Sequence, residues 1–139
     1  MIYQSTKLIE RAFIEHNVPC RAIDQGNLSA VLVGYNGKVA KNVMVHFISH
    51  ADTNDVAVRI PVLATAPEEK FLDILELINT LNLRFRYIKL ALSPKYDVIL
   101  SCDVPLRTSN VGDVCLELFA RLMQIVDELY PEIMKLIWS

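Results

Sequence analysis

The chain has 139 residues, which is the usual size of one domain and long enough to bury a core. Apolar residues make up 53% and charged residues 22%, a balance that excludes a disordered chain. The formal net charge is −2, and lysine and arginine are scattered among aspartate and glutamate. The length favours a single domain over residues 1–139. No basic stripe exists to pair with phosphates, so we expect that the chain does not bind nucleic acid.

The chain also lacks the signals of export. No apolar run approaches the roughly 20 residues that span a bilayer, and the first residues lack the apolar core of a secretory signal. We therefore expect a cytoplasmic location and no membrane partner. Cys20, Cys102 and Cys115 are odd in number and widely spaced, unlike a disulfide framework. We interpret all three as free thiols, with Cys102 and Cys115 as small core residues.

The first half of the chain predicts a helix followed by strands. Apolar residues fall largely on one side between Ile2 and His16, which predicts an amphipathic helix. Val- and Leu-rich or alternating runs then predict three strands, at residues 28–35, 42–47 and 56–60. Asn36-Gly37 predicts a type I′ hairpin turn, because that turn needs positive φ at both central positions. Pro61 ends the third strand or places it at an edge.

The next segment predicts a helix and a second hairpin. The helix begins near Pro67, since proline fits the first helical position and acidic residues follow it. Its apolar face is predicted to consist of Phe71, Leu72, Leu75, Ile78 and Leu81, and it fades at residues 79–82. Two strands follow, at about 85–92 and 96–103, joined by a turn at 93–95.

The last predicted helix, from about Gly112 to Trp138, has an unusually wide apolar side. Its apolar arc covers about 200°, whereas a surface helix usually needs a stripe of about 100°. Either another helix of this chain or another chain must therefore cover it. Pro131 is expected to kink the helix, or to restart it, after Tyr130.

These elements define an α+β fold. The predicted order is α-β-β-β-α-β-β-α, with three helices. Short connections and the hairpin signals favour a mostly antiparallel sheet of five strands with the helices on one face.

Two groups of polar residues have the composition of metal sites but not the required pattern. His46 and His50 lie four apart on a predicted strand, with no further ligand beside them, so they are interpreted as polar residues on its outer face. Asp52, Asn54 and Asp55 resemble a calcium loop that lacks the glycine and the last glutamate of an EF-hand. We interpret that segment as a turn.

No pattern indicates catalysis. Asp97 and Asp103 lie beside a turn and at a strand end, which favours solvated carboxylates over an acid–base pair. No glycine-rich phosphate loop and no nucleophile elbow occur, and the cysteines have no local electropositive context. We expect no enzyme, no catalytic residue, no metal and no cofactor.

Two sets of residues are candidates for partner binding. The stretch Leu129–Trp138 is rich in the Met, Tyr and Trp that interface cores prefer, although these residues can equally complete the core. Arg84 and Arg86 share one face of the predicted fourth strand and can pair with a partner's acidic groups, but such residues more often cover a sheet's solvent side. The candidates are Met123, Tyr130, Met134, Trp138, Arg84 and Arg86.

Three stretches carry a family resemblance. Residues 81–90 (LNLRFRYIKL), 97–106 (DVILSCDVPL) and 126–138 (VDELYPEIMKLIW) resemble the YbjN-type family, described as bacterial sensory transduction regulators. That family is similar in fold to type III secretion chaperones, α+β domains that often dimerise and bind partner chains. The resemblance implies a chaperone-like fold and a non-enzymatic regulator or chaperone-like protein, and it supplies no catalytic residues.

Three hypotheses follow. The first is a protein-binding module, homodimeric, that uses the last helix, an edge strand or both. The alternative is a small-molecule-binding regulator, or a cryptic enzyme, with a pocket between helices and sheet. The third is a structural subunit of a larger assembly.

Overall fold

The computed structural model describes residues 2–50, 55–107 and 109–139, and in them the chain forms three α-helices and six strands. The helices are α1 (Gln4–Glu15), α2 (Phe71–Arg84) and α3 (Val111–Ile137). The strands are β1 (Arg21–Asp24), β2 (Leu28–Tyr35), β3 (Val43–His50), β4 (Asp55–Thr65), β5 (Lys89–Leu92) and β6 (Asp97–Pro105).

The strands form one open sheet in the order β1-β2-β3-β4-β6-β5, and every pairing is antiparallel. The predicted α+β class with an antiparallel sheet is confirmed, but the count of five strands is wrong. The additional strand is β1, which pairs with β2 through Ala22↔Val31 and its neighbours. This strand has only four residues, with a charged residue at each end, and a run this short shows no alternating pattern.

The connection between β2 and β3 is longer than predicted. Tyr35 and Val43 are paired across the hairpin, so residues 36–42 form the loop. Positive φ falls on Asn42 (57°) rather than on Asn36 or Gly37. The predicted hairpin is present, but the predicted type I′ turn is wrong. A glycine is needed at position 37 for another reason: its backbone lies close to α3, as described below.

Strand β4 continues past its proline. Its pairing with β3 ends at Arg59, and its register with β6 shifts between Ile60 and Ala64. Pro61 therefore lies at an irregularity with no β3 partner in the described residues, where a missing N–H is tolerated. Both predicted alternatives are wrong, because β4 lies between β3 and β6 and continues past the proline to Thr65.

Helix α2 begins later and ends later than predicted. Pro67 is extended (φ −62°, ψ 146°) and precedes a short 3₁₀ turn at Glu68–Lys70. The helix then continues to Arg84, since Leu81 is still buried on its apolar face. Arg84 thus ends a helix and Arg86 lies in the following connection, so the prediction that both share a strand face is wrong.

Helix α3 runs without a break through Pro131. Proline removes one backbone hydrogen bond from a helix interior. On either side, Leu129 and Ile133 are fully buried, and this packing holds the helix in place. The helix therefore does not restart after Tyr130.

The wide apolar arc of α3 is covered largely by the chain itself. The helix lies against the sheet and packs on both α1 and α2. An aromatic cluster joins α1 and α3 to the sheet: the ring centroids of Phe13 and Phe47 are 5.2 Å apart, those of Phe13 and Phe119 5.5 Å, and those of Tyr35 and Phe119 6.0 Å. The sequence predicts that either another helix of this chain or another chain covers the apolar arc. In the structure, the neighbouring helices of this chain cover most of it.

Helices α1 and α3 approach each other most closely at a glycine. A Cβ atom built on Gly112 would lie 2.5 Å from the carbonyl oxygen of Leu8 and 3.0 Å from the Cβ of Ala12. Backbone atoms cannot swing aside as a flexible side chain can. The crossing therefore requires glycine at this position for reasons of space.

In the described part of the chain, no helix combines the length and the apolarity needed to cross a membrane.

We predict that Gly112→Ala lowers the free energy of unfolding by about 1–3 kcal/mol, because the added methyl group forces α1 away from α3. Urea unfolding measures the change. Gly34→Ala is the matched control, since its Cβ would meet only the Met44 Cε at 3.5 Å, an ordinary contact. Equal losses in both variants would contradict the close crossing.

Candidate functional site

Helix α2 exposes leucines on its solvent side. Leu72 is 75% exposed and Leu83 is 83% exposed, whereas Ile74, Ile78 and Leu81 face the core. Leu72 and Leu83 are eleven residues apart, which is about three turns, so they point in nearly the same direction roughly 16 Å apart. Large apolar side chains at the centre of a solvent face typically mark a contact surface.

Two further residues complete this surface, which we call the α2 stripe: Leu72, Leu75, Asn79 and Leu83. Leu75 is 38% exposed and Asn79 is exposed. A hollow of about 480 Å³ lies beside Leu72. Its lining includes Phe71 and Tyr96, whose rings meet edge to face at 5.6 Å. The stripe therefore combines a projecting leucine with a depression next to it.

Opposite charges flank the two ends of the α2 stripe. Glu68, Glu69 and Asp73 are exposed at its start, and Arg84 and Arg86 are exposed at its end. The side chain of Arg84 is already engaged within the chain. It donates two hydrogen bonds to Glu132 on α3, at 2.6 and 3.2 Å, and these bonds raise the pKa of the guanidinium.

A second concave surface lies between α3 and the end of β6. This cleft has a volume of about 290 Å³. Its lining comes from β6, from one side of α3 and from the connection before β5: Cys102, Asp103, Val104, Pro105, Val114, Glu117, Leu118, Arg121 and Tyr87. We call it the β6–α3 cleft.

The charged groups of the β6–α3 cleft are paired with one another or with neighbours. Arg121 lies over the ring of Tyr87 at 5.7 Å and contacts Glu117 at 3.3 Å. Arg59 donates to Asp103 at 2.8 Å. The cleft therefore presents no uncompensated charge to a ligand.

The cysteine thiols are poor nucleophiles in this structure. Cys20, Cys102 and Cys115 are free, as predicted. Burial raises the pKa of Cys102 to about 11 and that of Cys115 to about 12. Both thiols stay protonated near neutral pH, and the thiolate is the reactive form. Cys115 is fully buried, and Cys102 is partly buried beside the core, close to the roles predicted for them.

The face of the sheet opposite the helices carries the histidines. His46 and His50 alternate with the buried residues of β3, as the outer-face prediction required. His46 pairs with Leu32 and Arg59 on the neighbouring strands, and burial lowers its pKa. Within the described ranges, no three histidine, cysteine, aspartate or glutamate side chains are grouped to hold a metal.

The predicted aspartate pair is not brought together. Asp97 accepts a hydrogen bond from the Thr65 hydroxyl at 2.7 Å, at the opposite end of β6 from Asp103. Asp52 and Asn54 of the predicted turn lie outside the described residues.

The predicted interface residues of α3 do not form one exposed surface. Met123 and Tyr130 are partly buried and pack against the core. Met134 is also only partly exposed. Trp138 is 79% exposed at the end of the helix. The prediction that Leu72 and Leu75 belong to the apolar face of α2 with Ile78 and Leu81 is wrong, since both leucines are exposed. No prediction covers Leu83.

One arrangement that resembles an anion site is already occupied by the protein. The carboxylate of Asp127 on α3 accepts hydrogen bonds from the backbone N–H groups of Lys38, Val39 and Ala40, at 3.1 to 3.2 Å. These bonds lower the pKa of Asp127. A Cβ on Gly37 would meet both carboxylate oxygens, which explains the glycine. The contact fixes the β2–β3 loop to α3.

The phenol of Tyr35 strengthens the same junction. Its hydroxyl donates to the Met123 carbonyl at 2.8 Å. Burial and the charge of Asp127 raise the pKa of Tyr35 to about 12, so the donor keeps its proton. Together with the Asp127 contacts, this bond holds the β2–β3 loop against α3.

Comparisons with known proteins add no relative: no protein-family model, no curated protein and no solved structure matches the chain. The resemblance to the YbjN-type family stays a prediction.

We predict that Asp127→Asn destabilises the fold at pH 7, because an amide is a weaker acceptor for the three N–H groups. The pKa of Asp127 is lower in the folded chain, so its contribution is complete above the unfolded pKa of about 3.9 and is lost as pH falls through the folded value. Urea unfolding of both proteins from pH 7 to pH 3 should show the difference shrinking below about pH 4.

Glu128→Gln, on the exposed neighbour of Asp127, is the control and should change stability little at either pH. A difference between the Asp127→Asn variant and the parent that stays constant across this range would contradict the role of the charge.

Proposed function

We propose that this chain is a non-enzymatic protein-binding module that acts as a homodimer through the α2 stripe. The observation that carries the proposal is the exposure of Leu72 and Leu83 at the centre of the solvent face of α2. Removing such side chains from water stabilises a complex by about 1.5–3 kcal/mol each. A second copy of the chain is the partner that the stripe fits best.

Charge favours self-association over binding of an unrelated helix. When the two-fold axis is perpendicular to α2, the same patch meets itself and the two α2 helices run antiparallel. The acidic start of one helix, with Glu69, then lies near the basic end of the other, with Arg86. Such complementary charges set orientation and suppress wrong partners.

The size of the stripe favours a reversible dimer. A stable interface buries about 800 Å² on each partner, and one exposed helix of 14 residues offers less than that by itself. We therefore expect monomer and dimer to exchange with concentration. A dimer of this strength suits a regulator or chaperone-like protein, the role that the YbjN-type resemblance implies. Its free cysteines suit a reducing compartment such as the cytoplasm.

We predict that combining Leu72→Gln with Leu83→Gln weakens dimerisation by at least about tenfold, because glutamine keeps the helix propensity but removes the buried apolar surface. Sedimentation equilibrium over a dilution series measures the dissociation constant. Ile14→Gln is the matched control, since Ile14 is 59% exposed but lies on α1. A parent chain that is monomeric at every concentration would contradict the proposal. So would a dimer whose dissociation constant is the same in the double leucine variant as in the parent.

We also predict that the charges act in pairs across the two-fold axis. Glu69→Arg alone should weaken the dimer, and adding Arg86→Glu should restore it, because opposite charges again face each other. The same sedimentation series, run at low and high salt, tests this, since salt screens exposed pairs. A double variant that is no better than Glu69→Arg would contradict the antiparallel arrangement.

A further inference from the structure

The hollow beside Leu72 combines aromatic and acidic groups in its lining. The rings of Phe71 and Tyr96 line it and meet edge to face at 5.6 Å. The remaining lining is Leu72 and the three acidic residues Glu68, Glu69 and Asp73. We call this depression the Tyr96 hollow. A group that suits it carries an apolar part for the rings and a positive charge for the carboxylates.

The acidic groups of the Tyr96 hollow are not neutralised within the described chain. Glu68, Glu69 and Asp73 are exposed, and none of them has a side-chain hydrogen bond or an ion pair in the described ranges. Carboxylates close to one another repel, and an incoming cation offsets that repulsion. The hollow therefore favours a cationic partner.

The other end of α2 carries groups of the matching kind. Leu83 is the most exposed large apolar residue of the described chain. Arg86 is exposed, and its guanidinium has no hydrogen-bond, ion-pair or aromatic partner in that part of the chain, whereas Arg84 is bound to Glu132. An unpartnered apolar side chain and an unpartnered positive charge thus lie three residues apart.

One register of the antiparallel dimer brings both complementary pairs together. Leu72 follows Glu69 by three residues, and Arg86 follows Leu83 by three. When Leu72 lies opposite Leu83 of the partner subunit, Glu69 therefore lies opposite the partner's Arg86. The two-fold axis repeats the same contact at the other end of the helix pair, roughly 16 Å away.

We infer that the Tyr96 hollow receives Leu83 of a second copy of this chain, with that copy's Arg86 beside the acidic residues. The inference rests on the proposed dimer and deepens it, because it names the contact that fixes the register of the two α2 helices. Each hollow is then completed by the partner subunit.

The second copy fits the hollow better than a ligand with only one of the two features. A hydrophilic cation would leave the rings of Phe71 and Tyr96 in water, and a neutral apolar group would leave the carboxylates without a counter-charge. A leucine that enters a depression also removes more apolar surface from water than two leucines that meet on a flat helix face. The contact therefore favours this register over other pairings of the same helices.

The first test detects the contact without any substitution. Chain labelled with carbon-13 at its leucine methyl groups is mixed with unlabelled chain, and nuclear Overhauser effects are recorded only between labelled and unlabelled protons. We expect effects from the Leu83 methyl groups to the ring protons of Phe71 and Tyr96. Within one chain, Leu83 and Phe71 are twelve residues apart on α2, about 18 Å, so they meet only across the dimer.

The second test measures the coupling between the hollow and the leucine that fills it. By sedimentation equilibrium, Leu83→Ala should weaken the dimer at least about tenfold, and Phe71→Leu should weaken it about fivefold. In the Leu83→Ala background, Phe71→Leu should change the dissociation constant by less than about twofold, because its contact is already lost. Both replacements are good helix formers.

Ile14→Ala supplies the matched control for this cycle. Ile14 is exposed on α1, away from the α2 stripe. Phe71→Leu should therefore keep its full effect on the dissociation constant in the Ile14→Ala background, since distant substitutions act independently.

The results that overturn the inference differ from those that overturn the proposed dimer. A dimer that Leu83→Ala weakens, but in which Phe71→Leu acts equally in both backgrounds, keeps the α2 interface and excludes this contact. So does a dimer whose Leu83 methyl groups reach Leu72 of the partner subunit and neither ring. A parent that is monomeric at every concentration overturns both proposals. In a monomer, ring signals of Phe71 and Tyr96 that shift with an added leucine-alanine-alanine-arginine peptide would assign the hollow to another protein.

Discussion

The structure depends on the burial of α3 between the sheet and the other two helices. An apolar arc of about 200° is more than one sheet face can cover, so α1 and α2 must both lie against the same helix. Because three helices share this space, they pack closely. Helix α1 crosses α3 at Gly112, where a methyl group would meet the backbone of Leu8. It also lets the helix carry Pro131 without breaking, because the turns around it are held by fully buried leucine and isoleucine side chains. The hairpin loop at residues 36–42 reaches the same helix through Asp127.

Once α3 is covered from within, the remaining apolar surface lies elsewhere. The solvent face of α2 and the β6–α3 cleft are two of the places where the described chain leaves apolar surface exposed. They differ in kind. The stripe offers projecting side chains flanked by opposite charges, which suits the proposed pairing with a copy of itself. The β6–α3 cleft is an apolar depression whose charged groups are paired with one another or with neighbours.

Much of this fold can be predicted from the sequence, because long apolar periodicities decide the helices and the central strands. The failures have local causes. Strand β1 is too short to show a period, and tertiary pairing with β2 creates it. Asn36-Gly37 has the composition of a tight turn, but the glycine is needed for space beside Asp127. Arg84 and Arg86 were assigned to a strand because α2 was expected to fade at residues 79–82, whereas burial of Leu81 extends it. The prediction fails at Leu72 and Leu75 because it omits Ile74 from the apolar face of α2, whereas in the structure Ile74 is buried with Ile78 and Leu81 and the two leucines face outward. The β6–α3 cleft depends on where β5 begins, at Lys89. The alternation of apolar and polar residues in the sequence does not show where a strand begins or ends.

The protection of the sheet edge by Asn82 gives the protein a specific chemical vulnerability. The amide works because it both donates and accepts, matching the two backbone groups of Leu90. Deamidation would convert it to aspartate, which is isosteric but, when ionised, accepts only. The Leu90 carbonyl would then lose its donor and face a negative charge across the same distance. Ageing of this one side chain would therefore loosen the contact between α2 and β5 that covers the outer edge of the sheet.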